Sequence, residues 1–431
     1  MASTLVMPSL ALPIEILEQL LDHYGDMLVY NHNPTLPDNR LQYYEILKSR
    51  ALTCKALLPR SRYNLYRSVI LENRHKHFIE TLKGSPHLAR YIRVLHIVSY
   101  KLSKPPSIFF CLAGRLPHIH ALEIAVAEDI FLHKHLHMAL SSFSTITMLT
   151  LCIRIGVPEI QRLLHTLYNL RYLELLVPPI VPADSSAYQK TCHAPRCRLT
   201  SFVTTLRMVT QPAIPDIGIH RRIMDPHPGW LPLYYSFLQT PELFSSLKRF
   251  YIEIMSWAGE TERNAEVSSL LFSAAHSSLE EAFIYFHEPE NTGLTRLVSL
   301  HDNTNLRRLG LFLDNAFDEE VVGLVPLLLT ISSSILREIV LFGWDGFKRV
   351  QSSTWALLDE ALCDSRFDAL TSIQVIEDVE DQNPLPAVER LPRCASRGLI
   401  SSSYISSAVG SFNHKWITWA PEYQRMLFED R

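Results

Sequence analysis

Glycine is scarce in this chain, with 14 glycines among 431 residues. No two of them are two positions apart, so G-x-G-x-x-G is absent, and neither G-x-x-x-x-G-K-[ST] nor G-x-S-x-G occurs. Such motifs place phosphates on backbone amides or a nucleophilic serine on a sharp turn. We therefore expect no nucleotide cofactor, assign no catalytic residues and predict that the chain is not an enzyme.

Long apolar runs and an excess of basic charge are also missing. The longest apolar run, Val321 to Ile331, is interrupted by Pro326 and is shorter than the ~18 residues that cross a bilayer. Lysine and arginine number 41 against 44 aspartates and glutamates, a net charge of -3. Phosphate backbones are bound by clustered positive charge. We expect neither a membrane segment nor a nucleic-acid partner.

The cysteines do not suggest a disulfide framework. There are seven, an odd number, spread from Cys54 to Cys394. We expect reduced thiols in a cytoplasmic or nuclear protein. Cys192 and Cys197 flank His193 in TCHAPRC, but no second pair completes a zinc site, and a plain loop is the favoured interpretation.

Two other patterns contain residue types that can bind a metal or share a proton. His133 and His137 would share one helix face, yet no H-E-x-x-H motif accompanies them, so solvated or capping histidines are favoured over metal ligands. Adjacent carboxylates occur at Glu280–Glu281 and at Glu319–Glu320. Their context does not suggest a shared proton, and acidic residues are ordinary near helix N-termini. We predict no metal site.

A spacing of apolar residues recurs along the chain. In NLRRLGLFL, Leu306, Leu309 and Leu311 form the frame L-x-x-L-x-L. Taking the middle residue as the anchor, the frame recurs at Leu95, Leu122, Leu149, Leu173, Phe202, Phe250, Ala282, Leu309, Ile339 and Ile373. The residue three before each anchor is apolar in all ten copies, and the residue two after is polar only at Thr204. Spacings range from 24 residues (149 to 173) to 48 (202 to 250), which is typical of a solenoid.

Each repeat is predicted to be a short strand followed by a helix. Residues 146–152 alternate with the period of a strand, and helices are predicted at Glu159 to Leu170, Glu266 to Leu279, Glu319 to Ser332 and Thr354 to Ala369. We predict an α/β solenoid of the leucine-rich-repeat type over residues 76–377, with parallel strands inside and helices outside. Residues 378–431, with Trp416 and Trp419, would form a C-terminal cap.

The 48-residue spacing marks an irregular excursion at residues 203–246. Its prolines include Pro212, Pro215, Pro226, Pro228 and Pro232. A functional loop is one interpretation, and a degenerate repeat padded by loop is the favoured one. An enzyme hidden in this excursion is a further alternative.

Residues 1–75 lie outside the repeat and predict a small all-α module. A helix should begin at Pro13, where the missing N–H costs nothing. Gly25 to Asp38 predicts a loop, and a second helical stretch from Leu41 should end at Pro59. The segment from Arg62 to Leu71 should turn extended at its end.

This module carries a recognisable order of motifs. L-P-x-E-I occupies Leu12 to Ile16, L-T-C-K occupies Leu52 to Lys55, and L-Y-R-S-V occupies Leu65 to Val69. The order resembles the divergent F-box of fungal F-box proteins that carry leucine-rich repeats. The insertion around Gly25 to Asp38 and the absence of a Trp after the Cys depart from that pattern. The resemblance implies docking on the Skp-type adaptor of a cullin-RING ligase through Leu12, Pro13, Ile16, Leu17, Leu20 and Leu52.

The resemblance further implies a function. The chain would be the substrate-recognition adaptor of a Skp–cullin–F-box ubiquitin ligase, with the solenoid holding a protein substrate. The alternative is a protein-binding repeat scaffold with no ubiquitin-ligase link, whose N-terminal helices are only a cap.

Positions that alternate with the frame should face the concave side of the sheet. Five of them are aromatic and define what we call the aromatic stripe: Tyr251, Phe283, Tyr285, Phe312 and Phe342. Aromatic residues mixed with arginine are typical of protein interfaces, so we predict that the stripe and Arg308 bind the partner. Gly310 should leave space there for it. The alternative is that the C-terminal tail covers the stripe as part of the core.

Overall fold

The computed structural model describes most of the chain outside its two ends and several connections. The described residues are 14–30, 45–52, 55–71, 75–99, 109, 111–112, 114–126, 136–152, 157–175, 197–206, 241–255, 261–287, 298–313, 318–343, 347, 350–378 and 387–405. They form two compact units. The first contains the described residues up to Ser99 and Gly114–Leu122, and the second contains those from Glu123 onward together with 109 and 111–112.

The first unit begins with helices. Helix α1 spans Ile14–Tyr30, residues 45–52 are helical, and α2 spans Leu58–Arg67. Strand β1 (Ser68–Leu71) follows, then α3 (His75–Gly84), a 3-10 helix (Pro86–Tyr91) and β2 (Val94–Ser99). β1 and β2 are parallel, with Val69 opposite Leu95. The Arg93 carbonyl accepts from the amides of His120 and Ala121, where β3 (Ala121–Val126) begins.

Two predictions for this unit were wrong in detail. Gly25 lies inside α1, because the apolar spacing that begins at Ile14 continues past it to Tyr30. Pro59 does not end a helix. It lies in the first turn of α2, where its ring and missing N–H fit a helix start.

Among the described residues of the second unit, nine strands run parallel, each paired with the next along the chain. They are β4 (Met148–Cys152), β5 (Tyr172–Leu175), β6 (Ser201–Leu206), β7 (Arg249–Met255), β8 (Glu281–His287), β9 (Arg308–Leu313), β10 (Glu338–Gly343), β11 (Ser372–Asp378) and β12 (Ile400–Ile405). The predicted α/β class with parallel strands is confirmed.

Helices alternate with these strands. They are α4 (Leu136–Ser141), α5 (Val157–Thr166), α6 (Pro241–Phe244), α7 (Thr261–Ala275), α8 (Asp318–Leu329), α9 (Ser352–Leu362), α10 (Ala387–Arg390) and α11 (Pro392–Ser396), with 3-10 turns at His276–Ser278 and Ser365–Phe367. The four predicted helices are present but end earlier than predicted. Leu170 and Leu279 were predicted to end helices, but both are buried residues that precede the next strand. Within the described part of the chain, no helix is both long and apolar enough to cross a bilayer.

The apolar frame forms the core. All ten anchors and all ten residues three before them are buried. The anchors of the second unit pair in one continuous register: Leu149, Leu173, Phe202, Phe250, Ala282, Leu309, Ile339 and Ile373. Ile400 continues that register in β12, so strand pairing does not end at residue 377. Ser402 and Arg397 replace the apolar frame residues around Ile400, which hid this strand from the pattern.

Backbone hydrogen bonds repeat from strand to strand. The carbonyl two residues before an anchor accepts from two successive amides of the following repeat. Lys248 accepts in this way from Glu280 and Glu281, and the Glu280 carbonyl accepts from Arg307 and Arg308. The same pattern recurs at Thr147, Thr200, Arg307 and Arg337. These bonds align successive strands independently of the side chains.

Candidate functional site

In α1 the side chains are described from Ile14 to Asp22, and the apolar ones among them divide between two sides of the helix. Leu21 is buried with Leu47 and Leu57, and the half-buried Leu17 packs against this cluster. Ile16 and Leu20, one helical turn apart, are exposed by 41% and 44%. Positions four apart lie on the same side of a helix. The helix therefore uses one side for the core of its unit and offers an apolar pair to solvent on the other.

The other predicted adaptor-binding residues differ in their exposure to solvent. Leu52 is 89% exposed at the end of the helical residues 45–52. Leu17 contributes to the core rather than offering an open surface, because its position lies next to that of Leu21 on the helix. Leu12 and Pro13 lie outside the described residues. We call Ile16, Leu20 and Leu52 the exposed apolar set.

A polar cluster fixes α1 against α2. Asp22 accepts from Nε of Arg60 at 2.6 Å and from the amide nitrogen of Asn64 at 3.0 Å, and its second oxygen also accepts from Arg60. The hydrogen bond to Asp22 raises the pKa of Arg60, so the guanidinium stays charged. The Arg60 and Arg67 guanidinium groups lie 5.6 and 5.7 Å from the ring centre of Tyr63. The cluster holds the helix that carries Ile16 and Leu20.

The aromatic stripe of the second unit is buried. All five side chains are at most 2% exposed, so the prediction that they line an open surface was wrong. The rings pack on one another: the centroids of Phe312 and Phe342 are 5.5 Å apart, and those of Phe312 and Phe283 are 6.3 Å apart. The C-terminal tail, which was the alternative cover for the stripe, lies outside the described residues beyond residue 405. Their role in partner binding stays a prediction.

Gly310 does not leave space for a partner. The ring of Phe283 lies against it, and a methyl group added there would overlap this ring and approach Cε2 of Phe312 to 3.0 Å. The gap predicted from the small residue is filled by Phe283 of the preceding strand β8, because Phe283 and Gly310 are opposite each other in the sheet.

Arg308 keeps partial access to solvent. Its side chain is 28% exposed, its Nε lies 3.0 Å from Oε2 of Glu338, and its guanidinium lies 5.5 Å from the ring centre of Phe283. Oε1 of Glu338 accepts from Gln374 at 2.8 Å. Arg308 therefore lies between the buried aromatic rings and the partly exposed polar side chains of Glu338 and Gln374.

Several chemical candidates have ordinary surroundings or lie outside the described residues. The Glu280 carboxylate lies 2.9 Å from Lys248 and 3.9 Å from Arg307, so it forms ion pairs rather than sharing a proton with Glu281. His133, Cys192 and His193 are outside the described residues, as are the side chains of His137, Glu319 and Glu320. Cys197 is buried, and burial raises its pKa to about 12, which keeps the thiol protonated.

One group of potential ligands was missed by the sequence analysis. Asp359, Cys363 and Cys394 each have a ligand atom within 4.8 Å of the other two, and this is the one such group of three among the described residues. Burial, and after it the hydrogen bond with Asp359, raises the pKa of Cys394. Cys363 and Cys394 are 31 residues apart, about one repeat, and that spacing was the available signal.

No protein-family model matches this chain, and no curated protein matches it at a significant level of similarity.

Proposed function

We propose that the chain is the substrate-recognition adaptor of a Skp–cullin–F-box ubiquitin ligase. The first unit would dock on the Skp-type adaptor and the second would hold a protein substrate. The observation that carries the proposal is the exposed apolar set, Ile16, Leu20 and Leu52, in the same unit as the F-box-like motifs. The contribution of such an adaptor is proximity, since the transfer chemistry belongs to other subunits.

The two-sided helix α1 supports docking. Isolated exposed apolar residues are common, but Ile16 and Leu20 form a pair on one side of a helix whose other side is anchored by Leu21 and Asp22. Burying a large apolar side chain stabilises an association by roughly 1.5–3 kcal/mol. A partner with an apolar groove would gain that from each of these side chains.

We propose in addition that the second unit is a leucine-rich-repeat-like solenoid. Three observations support it: nine strands paired in chain order, anchors in one register, and a carbonyl that accepts from two amides of the next repeat. In a solenoid each repeat contacts its neighbours, and its strands present one long surface. Such a surface suits a protein substrate.

Arg308 remains the leading residue for substrate contact in this proposal. It is the one member of the predicted set that is not buried, and it is held between Glu338 and Phe283. Arginine held over an aromatic ring at a partly open position suits recognition of an acidic or planar group.

The adaptor proposal is tested by pull-down of the purified full chain with a purified Skp-type adaptor. Ile16→Asp combined with Leu20→Asp should abolish binding, because each charge would have to be buried in the apolar groove. Leu357→Asp is the matched control. Leu357 is 49% exposed on helix α9 of the second unit, similar to Leu20, and this change should leave binding intact.

Two outcomes would contradict the ligase link. One is that the wild-type chain fails to bind the adaptor while remaining folded by circular dichroism. The other is that the double variant binds as well as wild type. Either result would favour the repeat scaffold with no ubiquitin-ligase link. Proximity labelling with and without residues 1–75 would then identify what the second unit binds.

A further inference from the structure

Two cysteines and an aspartate meet where α9 approaches α11. Asp359 lies in the last turn of α9, Cys363 directly follows that helix, and Cys394 lies within α11. Asp359 and Cys394 are buried, and Cys363 is half-buried. Cysteine thiolates and carboxylates are the ligand types that zinc and similar thiophilic cations accept.

The sulfur atoms have the separation that a shared cation requires. Sγ of Cys363 and Sγ of Cys394 are 3.7 Å apart. With a zinc–sulfur distance of about 2.3 Å, the two sulfurs of a tetrahedral site lie about 3.8 Å apart. A disulfide would need about 2.05 Å. Cation binding therefore requires little movement of either sulfur.

The carboxylate is held in a fixed position. Oδ2 of Asp359 accepts from the Arg393 amide at 2.8 Å, and Oδ1 accepts from the Cys394 amide at 3.0 Å. Ligating carboxylates are commonly oriented by such outer hydrogen bonds. Each oxygen keeps a lone pair after accepting one N–H group. The cluster thus combines the oriented carboxylate of Asp359 with the thiols of Cys363 and Cys394.

The half-buried Cys363 supplies an opening. A structural or catalytic zinc site is four-coordinate, and three protein ligands leave one position for water. Because Cys363 is on the open side of the cluster, a cation can enter there and keep a water ligand. Zinc therefore suits this cluster better than calcium or magnesium, which prefer six or more oxygen ligands.

We propose that Asp359, Cys363 and Cys394 form a site for one thiophilic divalent cation of the zinc class, with water as the fourth ligand. On binding, each thiol releases one proton to solvent and coordinates as a thiolate, and no electron is transferred. The cation would fasten α11 to α9. This connects the segment that leads into β12 to the preceding repeat, a role independent of the adaptor proposal.

The test uses the full chain, reduced with a phosphine and stripped with a chelator. Titration with Co²⁺ should give one equivalent bound, with the thiolate-to-cobalt charge-transfer absorption and the visible bands of tetrahedral cobalt. Zn²⁺ should displace the cobalt with the same stoichiometry. Binding should also raise the melting temperature, since the cation binds the folded chain through residues that unfolding separates.

Cys363→Ser is the decisive variant, because the residue is half-buried and serine keeps its size. It should weaken the charge-transfer absorption, since Cys394 alone is left to supply a thiolate, and weaken binding by more than the roughly 100-fold that loss of an outer-shell partner costs. Cys197→Ser is the matched control, a buried cysteine outside the cluster, and it should bind like wild type. Asp359→Asn should also weaken binding.

Three results would overturn the site. The first is that the wild-type chain takes up less than one equivalent, and the second is that Cys363→Ser and Cys197→Ser bind alike. The third is a Cys363–Cys394 disulfide in the isolated chain by mass spectrometry, together with no metal uptake after reduction. In that case the pair would be a redox-formed crosslink.

Discussion

Phe283 can lie flat on the sheet because the residue opposite it has no side chain. The ring of Phe283 packs against Gly310 of β9, and Phe312 contacts the ring from the same strand. At the residue scale, therefore, a glycine contributes to stability by accepting a neighbour's ring. Core packing of this density tolerates little added volume.

Replacing Gly310 by alanine should destabilise the second unit. The added methyl group overlaps the Phe283 ring, and overpacking of this kind costs about 1–3 kcal/mol. The measurement is the denaturant midpoint of the second unit. Gly84→Ala, at the end of α3 in the first unit, is the control for the substitution itself: nothing lies within 4 Å of its added methyl group, so the midpoints of both units should change little. Equal midpoints for the two variants would contradict the ring contact.

Cys197 should make stability depend on pH in the alkaline range. Burial raises its pKa from 9.0 to about 12. Below pH 9 both states keep the thiol protonated. Between pH 9 and 12 the unfolded chain loses the proton while the folded chain keeps it, so the free energy of unfolding falls as pH rises. The loss is at most about 1.4 kcal/mol per pH unit from this group.

The comparison that isolates this effect is Cys197→Ala. Alanine removes the titrating thiol, so its denaturation midpoint should fall less steeply between pH 9 and 11 than that of wild type. Parallel pH dependence of the two chains would show that the thiol of Cys197 does not govern this range.

At the scale of elements, α1 depends on a polar contact to keep its apolar pair in place. Asp22 connects it to Arg60 and Asn64 of α2. Asp22→Ala should cost about 1–3 kcal/mol, because it leaves the buried Asn64 amide without its acceptor. The same change should weaken adaptor pull-down, although Asp22 itself is not exposed.

Glu45→Ala is the control for that variant. Its ion pair with Lys48, at 2.8 Å, is between exposed side chains, and such pairs contribute about 0–1 kcal/mol. Thermal unfolding of both variants, followed by circular dichroism, should separate them. If Asp22→Ala unfolds like Glu45→Ala, the cluster around Arg60 does not hold the helix.

At the scale of the whole chain, the sequence predicts where the strands lie, but it does not predict how the side chains on their faces pack. The frame around Leu309 identified every strand from β2 to β11, because one apolar period is repeated and buried. It missed β12, whose anchor Ile400 has Arg397 and Ser402 at the frame positions. β1 was not among the ten copies of the frame and was predicted only as the extended end of the segment from Arg62 to Leu71. Alternation along a strand also shows which residues share a face, but it cannot show that rings on that face cover one another, which is why the aromatic stripe was misplaced.

The candidate sites show the same limit. Ile16 and Leu20 could be found because a short helical period is local in the sequence. Asp359, Cys363 and Cys394 were missed, since α9 and α11 approach one another only after the chain has made another strand, and the 31-residue spacing of the two cysteines was the one signal of their contact. Chemistry that depends on contacts between repeats is invisible to a local pattern.

If the second unit is a solenoid, a core mutation should weaken it locally. Leu309→Ala removes a buried anchor and should cost about 2–5 kcal/mol. Hydrogen exchange should accelerate most in β8, β9 and β10, and progressively less toward β4, because repeats contact mainly their neighbours. Leu270→Ala, at a half-exposed position on α7, should change exchange little. Uniform acceleration from β4 to β12 would contradict the solenoid.

The carbonyls that accept from two amides of the following repeat allow the connections between strands to differ in length. Phe202 and Phe250 sit in the same register as Leu149 and Leu173, although 48 residues separate the first pair and 24 the second. Because the backbone hydrogen bonds align neighbouring strands, the register of a strand does not depend on the length of the connection that precedes it. An unrelated peptide inserted between β6 and β7 should therefore be tolerated, and the two strands should keep their register.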